Sequence, residues 1–84
     1  MYKKEVNMFN NQNLWHAIDK LAHENHLSCS GMARAAGLDP TTFNPSKRKS
    51  KYGQPRWISF ETLAKILKIT NTSFTKFAKY LDEK

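Results

Sequence analysis

The chain has 84 residues, enough for one small domain that buries only about 60% of the surface its unfolded form exposes. Its 14 Lys and Arg against 7 Asp and Glu leave a net charge of +7, a surplus that favours polyanionic partners, nucleic acid first and acidic membrane second. The lone Cys29 excludes an internal disulfide, no run of about 18 apolar residues exists to span a membrane, and the lysines of MYKKEVNMFNNQN lack the apolar stretch of a signal peptide. A cytoplasmic protein is expected, since a single unpaired cysteine suits a reducing compartment.

Residues 1–12 mix Lys, Asn and Gln with isolated apolar side chains and are expected to form a loose arm before a domain at 13–84. Leu14, Ile18, Leu21 and Ala22 recur at helical spacing, which predicts a first helix over residues 13–25 with Trp15 widening its apolar stripe. Asp19, Lys20 and Glu24 fall on its wet side. Ser28 is a good N-cap for a second helix through Ala36, with Met32, Ala33 and Ala36 inward. Gly37 supplies the left-handed residue that ends it.

Asp39 caps a predicted third helix, and Pro40 takes its first position, where a missing N–H does no harm. Phe43 is its buried anchor. Pro45 removes a backbone donor and crowds the preceding turn, so this helix is expected to be short, or kinked after Asn44. From Ser46 to Pro55 the chain is basic and broken by Gly53 and Pro55, which predicts an exposed loop of about ten residues, long enough to suggest a function of its own. No acidic residue lies between Asp39 and Glu61, while Lys47, Arg48, Lys49, Lys51 and Arg56 all do.

Trp57 and Ile58 are expected to return the chain to the core. Ser59 caps a fourth helix carrying Phe60, Leu63, Ile66 and Leu67 through Ile69. After a turn at Thr70–Thr72, a fifth helix is expected to turn Phe74, Phe77, Ala78 and Leu81 inward. With no strand, repeat or low-complexity tract in view, the fold class is all-α: five short helices around one core.

The stretch LSCSGMARAAGLDPTTFNPSKR, residues 27–48, thus reads as two short helices joined by a glycine turn and followed by a basic tail. Helix–turn–helix DNA readers have this geometry, the second helix entering the major groove while the first braces it across the backbone. From about Leu14 to Leu81 the chain resembles the phage-repressor-like family, the lambda-repressor-like or Xre-type DNA-binding domains. Leu27-Ser28 opens the second helix as in that family, Ala33 holds the small position facing the third, Gly37 holds the turn and Phe43 the anchor of the recognition helix. LAKILKI, residues 63–69, followed by a turn and a Phe-containing helix, resembles the family's fourth and fifth helices. More narrowly, WHAID, GLDPTTFN and the basic loop ending PRW are similar to the amino-terminal domains of bacterial repressors that carry a self-cleaving LexA-like peptidase domain. Two positions depart from the pattern. Pro40 stands where many members place a polar base reader, and Pro45 shortens the recognition helix, handing part of the reading to the loop.

Thr41, Thr42 and Asn44, opposite Phe43 on the predicted third helix, are the candidate base readers. Asn pairs well with adenine and a Thr methyl packs on thymine; the plainer account is a solvated polar face. Candidate phosphate contacts are Ser30 and Arg34 on the bracing helix and Ser46, Lys47, Arg48, Lys49, Lys51 and Arg56 after the recognition helix. Tyr52 is open between a hydroxyl contact and partial burial. His16 and His23 stand about 10 Å apart along a helix, too far for one zinc, and His23, His26 and Cys29 lack a fourth ligand. Neither metal nor cofactor is expected. Nothing resembles a catalytic set, so the chain is not expected to be an enzyme.

The resemblance implies sequence-specific binding of double-stranded DNA by a bacterial or phage-type transcription regulator, expected to be a repressor. It further implies a homodimer on a roughly palindromic operator, no membrane partner, and a possible partner domain beyond Lys84. An antitoxin-like or other protein-interaction module on the same fold, and the DNA-binding part of a longer peptidase-type repressor, stand as alternatives.

Overall fold

Serine caps and left-handed stops bound most of the helices among the described residues. The computed structural model describes residues 11–82. Among these lie four α-helices: α1 (Asn11–Glu24), α2 (Cys29–Ala35), α3 (Phe60–Ile69) and α4 (Phe74–Leu81). Ser28, Ser59 and Ser73 are extended N-caps whose side-chain oxygens accept the amides of Gly31, Thr62 and Lys76, each at 3.0 Å. Each bond satisfies one amide that the first helical turn leaves without a partner.

Three of the four C-terminal ends share one form, whereas α4 ends at Asp82 in the right-handed region. His26 (φ 58°), Gly37 (φ 75°) and Asn71 (φ 52°) adopt the left-handed conformation just past α1, α2 and α3. The next residue then donates back into the helix: Leu27 to the Ala22 carbonyl, Leu38 to Ala33 and Thr72 to Leu67, at 2.8–2.9 Å. This is the Schellman closure, which occupies carbonyls that a helix end would otherwise leave bare. Gly37 was legible as such a stop; His26 and Asn71 were not.

Helix α1 is the centre of the core. It buries Leu14, Trp15, Ala17, Ile18, Leu21 and Ala22, a stripe broad enough to pack against α2 on one side and α4 on the other. Met32 and Ala33 of α2, Leu63 and Ile66 of α3, and Phe77, Tyr80 and Leu81 of α4 close around it. Phe43 is completely buried among them and pins the segment between α2 and α3; its truncation to alanine should cost about 3–5 kcal/mol.

The expected five helices are four, because the third does not form. Residues 40–43 are turns, and Pro45–Lys47 is a single 3-10 turn. Amide-to-carbonyl bonds run three residues back throughout, Thr42 to Asp39, Asn44 to Thr41, Lys47 to Asn44 and Arg48 to Pro45. Pro45 accounts for this. An α-helix would need its N–H to reach the Thr41 carbonyl, and proline has none. Its ring also drives Asn44 into an extended conformation (φ −62°, ψ 147°), as the residue before a proline prefers. The proline was expected to shorten the helix; it abolishes it.

Three aromatic residues expected inward lie outward instead: Trp57 is 55% exposed, Phe60 77% and Phe74 53%. Phe60 and Phe74 touch edge to face, ring centroids 6.2 Å apart, on the outer side of α3 and α4. Tyr80 takes the inward place on α4. Helix α1 begins at Asn11, two residues ahead of the expected start; the remainder of the expected arm lies outside the described residues. No helix among the described residues is long and apolar enough to cross a membrane.

Candidate nucleic-acid interface

Residues 48–56, rich in basic side chains, form a tight hairpin rather than a slack loop. Lys49 and Pro55 pair in an isolated antiparallel bridge. Below it, the Arg56 amide donates to the Arg48 carbonyl at 2.9 Å, and above it the Ser50 amide donates to Gln54 at 2.8 Å. The Ser50 hydroxyl accepts the amides of Tyr52 and Gln54, both at 3.2 Å. Gly53 (φ 79°) closes the turn in a conformation that side chains resist. Lys51 and Tyr52 sit at its exposed tip, the Lys51 ammonium 5.1 Å from the Tyr52 ring centre.

Both feet of the hairpin stand on Trp15. The Arg48 guanidinium lies over the indole face at 4.8 Å, and the indole N–H donates to the Arg56 carbonyl at 3.2 Å. The Asn11 side-chain amide donates to the same carbonyl. Trp15 was read as a core residue that widens a stripe. It is that, and its ring nitrogen also supplies the polar handle that a buried tryptophan needs.

Arg48 differs from the other cations of the loop. Its side chain is 19% exposed and forms a two-pronged ion pair with Asp19, a residue expected on the wet side of α1. It also donates twice to the Phe43 carbonyl, from Nε at 3.2 Å and Nη2 at 3.0 Å. The Cys29 thiol donates to the same carboxylate at 3.2 Å. Burial pushes the Asp19 carboxyl up, but the bonds from Arg48 and Cys29 and the nearby positive charge prevail and hold it below its ordinary value. The same surroundings, burial first and then Asp19, push the Cys29 thiol up. Arg48, one of the candidate phosphate contacts, thus ties the hairpin, the turn and α1 together.

Lys47, Lys49, Lys51 and Arg56 are exposed and form no ion pair with a described residue, as is true of Arg34 on α2. Ser46 is exposed beside them, and Ser30 is half-buried within 3.3 Å of the capping Ser28 hydroxyl. Of the candidate base readers, Thr41 is exposed, and its amide and hydroxyl both donate to the Asp39 carboxylate, at 2.8 and 2.6 Å. Those two bonds hold Asp39 below its ordinary pKa. The Thr42 hydroxyl donates to the Asp39 carbonyl at 2.5 Å. Asn44 is half-buried and makes no capping bond. Asp39 therefore uses the donors of both threonines, leaving their methyls and lone pairs for an outside partner.

A groove of about 440 Å³ gathers part of this set. Thr42, Lys47 and Arg56 line it together with Trp15, Trp57, Ile58, Ser59 and Thr62. Trp57, Ser59 and Thr62 were not among the expected site residues. The acid-free gap from Asp39 to Glu61 was the available signal for Trp57 and Ser59, which lie within it; Thr62 lies just beyond. Comparison with known protein families, with curated proteins and with solved structures gives no match.

Proposed function

We propose that this protein binds double-stranded DNA in a sequence-dependent manner, as a transcription regulator of the repressor type. The observation that carries the reading is the groove in which Thr42, a candidate base reader, meets Lys47 and Arg56, two cations that form no ion pair with a described residue. Phosphate contacts position a protein on a duplex and base contacts specify where, and here both kinds of side chain share one surface. The tight hairpin supports it further, since ordering Lys49 and Lys51 in advance lowers the entropy lost on binding.

The order of elements is consistent with the lambda-repressor-like arrangement: α1, a short bracing α2, the Gly37 turn, an anchored reading segment, then α3 and α4. The reading segment is a chain of tight turns over residues 39–47, so the element presented to a groove is a turn flanked by a basic hairpin. Selection of bound duplexes from a random pool at moderate salt tests the proposal. A defined consensus is expected, and it should change when Thr41→Ala and Asn44→Ala are selected in parallel. Equal affinity for every duplex with little salt dependence would sink it.

The outward Phe60–Phe74 pair favours a second partner class alongside DNA. Apolar rings exposed on two neighbouring helices mark protein contacts in small domains, and a second copy of this chain is the partner that a palindromic operator would require. Sedimentation of the free protein and of Phe60→Ser with Phe74→Ser measures this directly: loss of a dimer in the double variant is expected, and a wild-type monomer on and off DNA refutes it.

A further inference from the structure

In the turn before Pro45, two threonine hydroxyls have already committed their protons. Thr41 Oγ1 donates to the Asp39 carboxylate at 2.6 Å, and its amide donates to the same oxygen at 2.8 Å. Thr42 Oγ1 donates to the Asp39 carbonyl at 2.5 Å. A hydroxyl has one proton to give, whereas a carbonyl and an ionised carboxylate only accept, so the direction of both bonds is fixed. Asp39 stays ionised at neutral pH, because the hydroxyl and amide of Thr41, with the Lys47 charge nearby, hold its carboxyl below the ordinary value. Fixing the hydroxyl fixes the rest of the side chain. Threonine is branched at Cβ and stiff about χ1, so with Oγ1 turned back to Asp39 the methyl leaves the same carbon in another direction. Thr41 is exposed, and that methyl is the part left for a partner.

The major groove offers bases that need a donor and one group that does not. Guanine shows two acceptors, N7 and O6, while thymine adds to its O4 acceptor a C5-methyl that asks only for apolar contact. On the DNA-binding reading, we infer that Thr41 reads the C5-methyl group of a thymine in the major groove, held for that task by Asp39 as its positioning residue. The lock also lowers the entropy lost on contact, since the rotamer is set before binding. It gives a reason for the acid itself. A carboxylate on a surface that meets phosphate is electrostatically unfavourable, and this one stands at the head of a stretch with no other acid before Glu61.

The test takes the duplex that the wild type selects from a random pool and replaces one thymine at a time by uracil. That change removes the methyl and leaves O4 in place. Fluorescence anisotropy at fixed salt gives the ratio of affinities for the two forms. At one position the wild type should bind the thymine form about fourfold tighter, the worth of one buried methyl. Thr41→Ser keeps the hydroxyl and its bond to Asp39 but lacks the methyl, so its ratio there should fall to one. Asp39→Ala releases the side chain and should also lower the ratio. The two duplexes carry equal charge, so the effect of the lost carboxylate on overall affinity cancels. Thermal melts of both variants verify that the fold is intact, as expected for exposed positions. A wild-type ratio near one at every thymine, or a preference that survives Thr41→Ser, overturns this inference and leaves the duplex reading standing. A preference that is lost in Thr41→Ser yet undiminished in Asp39→Ala overturns the role of Asp39. Failure of the wild type to enrich any duplex from the pool overturns the duplex reading and this inference together.

Discussion

Arg48 and Asp19 form a bidentate ion pair across 29 residues of sequence, Nη2 to Oδ1 at 2.7 Å and Nη1 to Oδ2 at 3.0 Å. The pair joins the foot of the basic hairpin to the middle of α1, and the same guanidinium holds the Phe43 carbonyl and covers the Trp15 ring. One side chain therefore fixes where the reading turn and the hairpin sit relative to the core.

Arg48→Ala removes all of these contacts at once. Charge-assisted hydrogen bonds of this kind contribute about 1.5–3 kcal/mol in favourable settings, and half-exposure of Asp19 reduces that toward the value of a surface pair. A loss of about 2 kcal/mol is the expected result in chemical denaturation, with charge-assisted bonds and ring stacking together. Arg48→Lys should recover little of it, because a single ammonium cannot reproduce the planar fork that meets two carboxylate oxygens. Full recovery by lysine would mean that charge alone, and not the fork, fastens the hairpin.

The same pair sets an acid limit. The folded Asp19 carboxyl titrates below its ordinary value, so the unfolded chain takes up this proton first as pH falls. Its contribution is present in full above the unfolded carboxyl's pKa, near about 4, and is lost as pH drops through the lower, folded one. Melting temperature followed from neutral to strongly acidic pH should fall more steeply in the wild type than in Asp19→Asn. Parallel acid limbs in the two proteins would place the limiting carboxylate elsewhere.

The helix stops yield a pair of opposed substitutions. Gly37 holds φ 75° with open space around its missing side chain, so Gly37→Ala suffers no clash with neighbours, only backbone strain of about 1 kcal/mol. His26 holds the same conformation with a side chain attached, and His26→Gly relieves a similar strain. The gain is smaller, a few tenths of a kcal/mol, because glycine also raises the entropy of the unfolded chain. Urea denaturation of both variants measures the contrast, and a His26→Gly variant less stable than the wild type would show that the imidazole itself supports the turn.

Where local chemistry acts alone, the chain was readable: the Ser28 and Ser59 caps, the Gly37 stop and the apolar stripe of α1 all depend on residues within a few positions of one another. Phe43 was legible as an anchor because a lone phenyl amid polar neighbours has one stable place. The missing third helix turned on a competition, the cap at Asp39 and Pro40 against the lost donor at Pro45, and helical spacing alone does not rank the two. Phe60 and Phe74 carry the right period to be buried, but periodicity identifies a face and says nothing of whether another element covers it. The Asp19–Arg48 pair was invisible for a simpler reason: nothing local connects residues so far apart, and a carboxylate on a wet helix face looks the same whether or not a distant arginine reaches it.

The division between Arg48 and its neighbours leads to the sharpest test of the interface. Each phosphate neutralised on B-DNA contributes about −0.9 to the slope of log affinity against log salt. Lys47, Lys49, Lys51 and Arg56 are exposed and form no ion pair with a described residue, so replacing any one that meets a phosphate by glutamine should make the slope shallower by about one. Arg48 is already neutralised by Asp19. Arg48→Gln should therefore lower the melting temperature and weaken DNA binding through loss of hairpin placement while leaving the salt slope nearly unchanged. The lysine variants should show the reverse: unchanged melting and a shallower slope. A full unit lost from the slope on replacing Arg48 would show that DNA competes for its guanidinium and that the strut opens on binding.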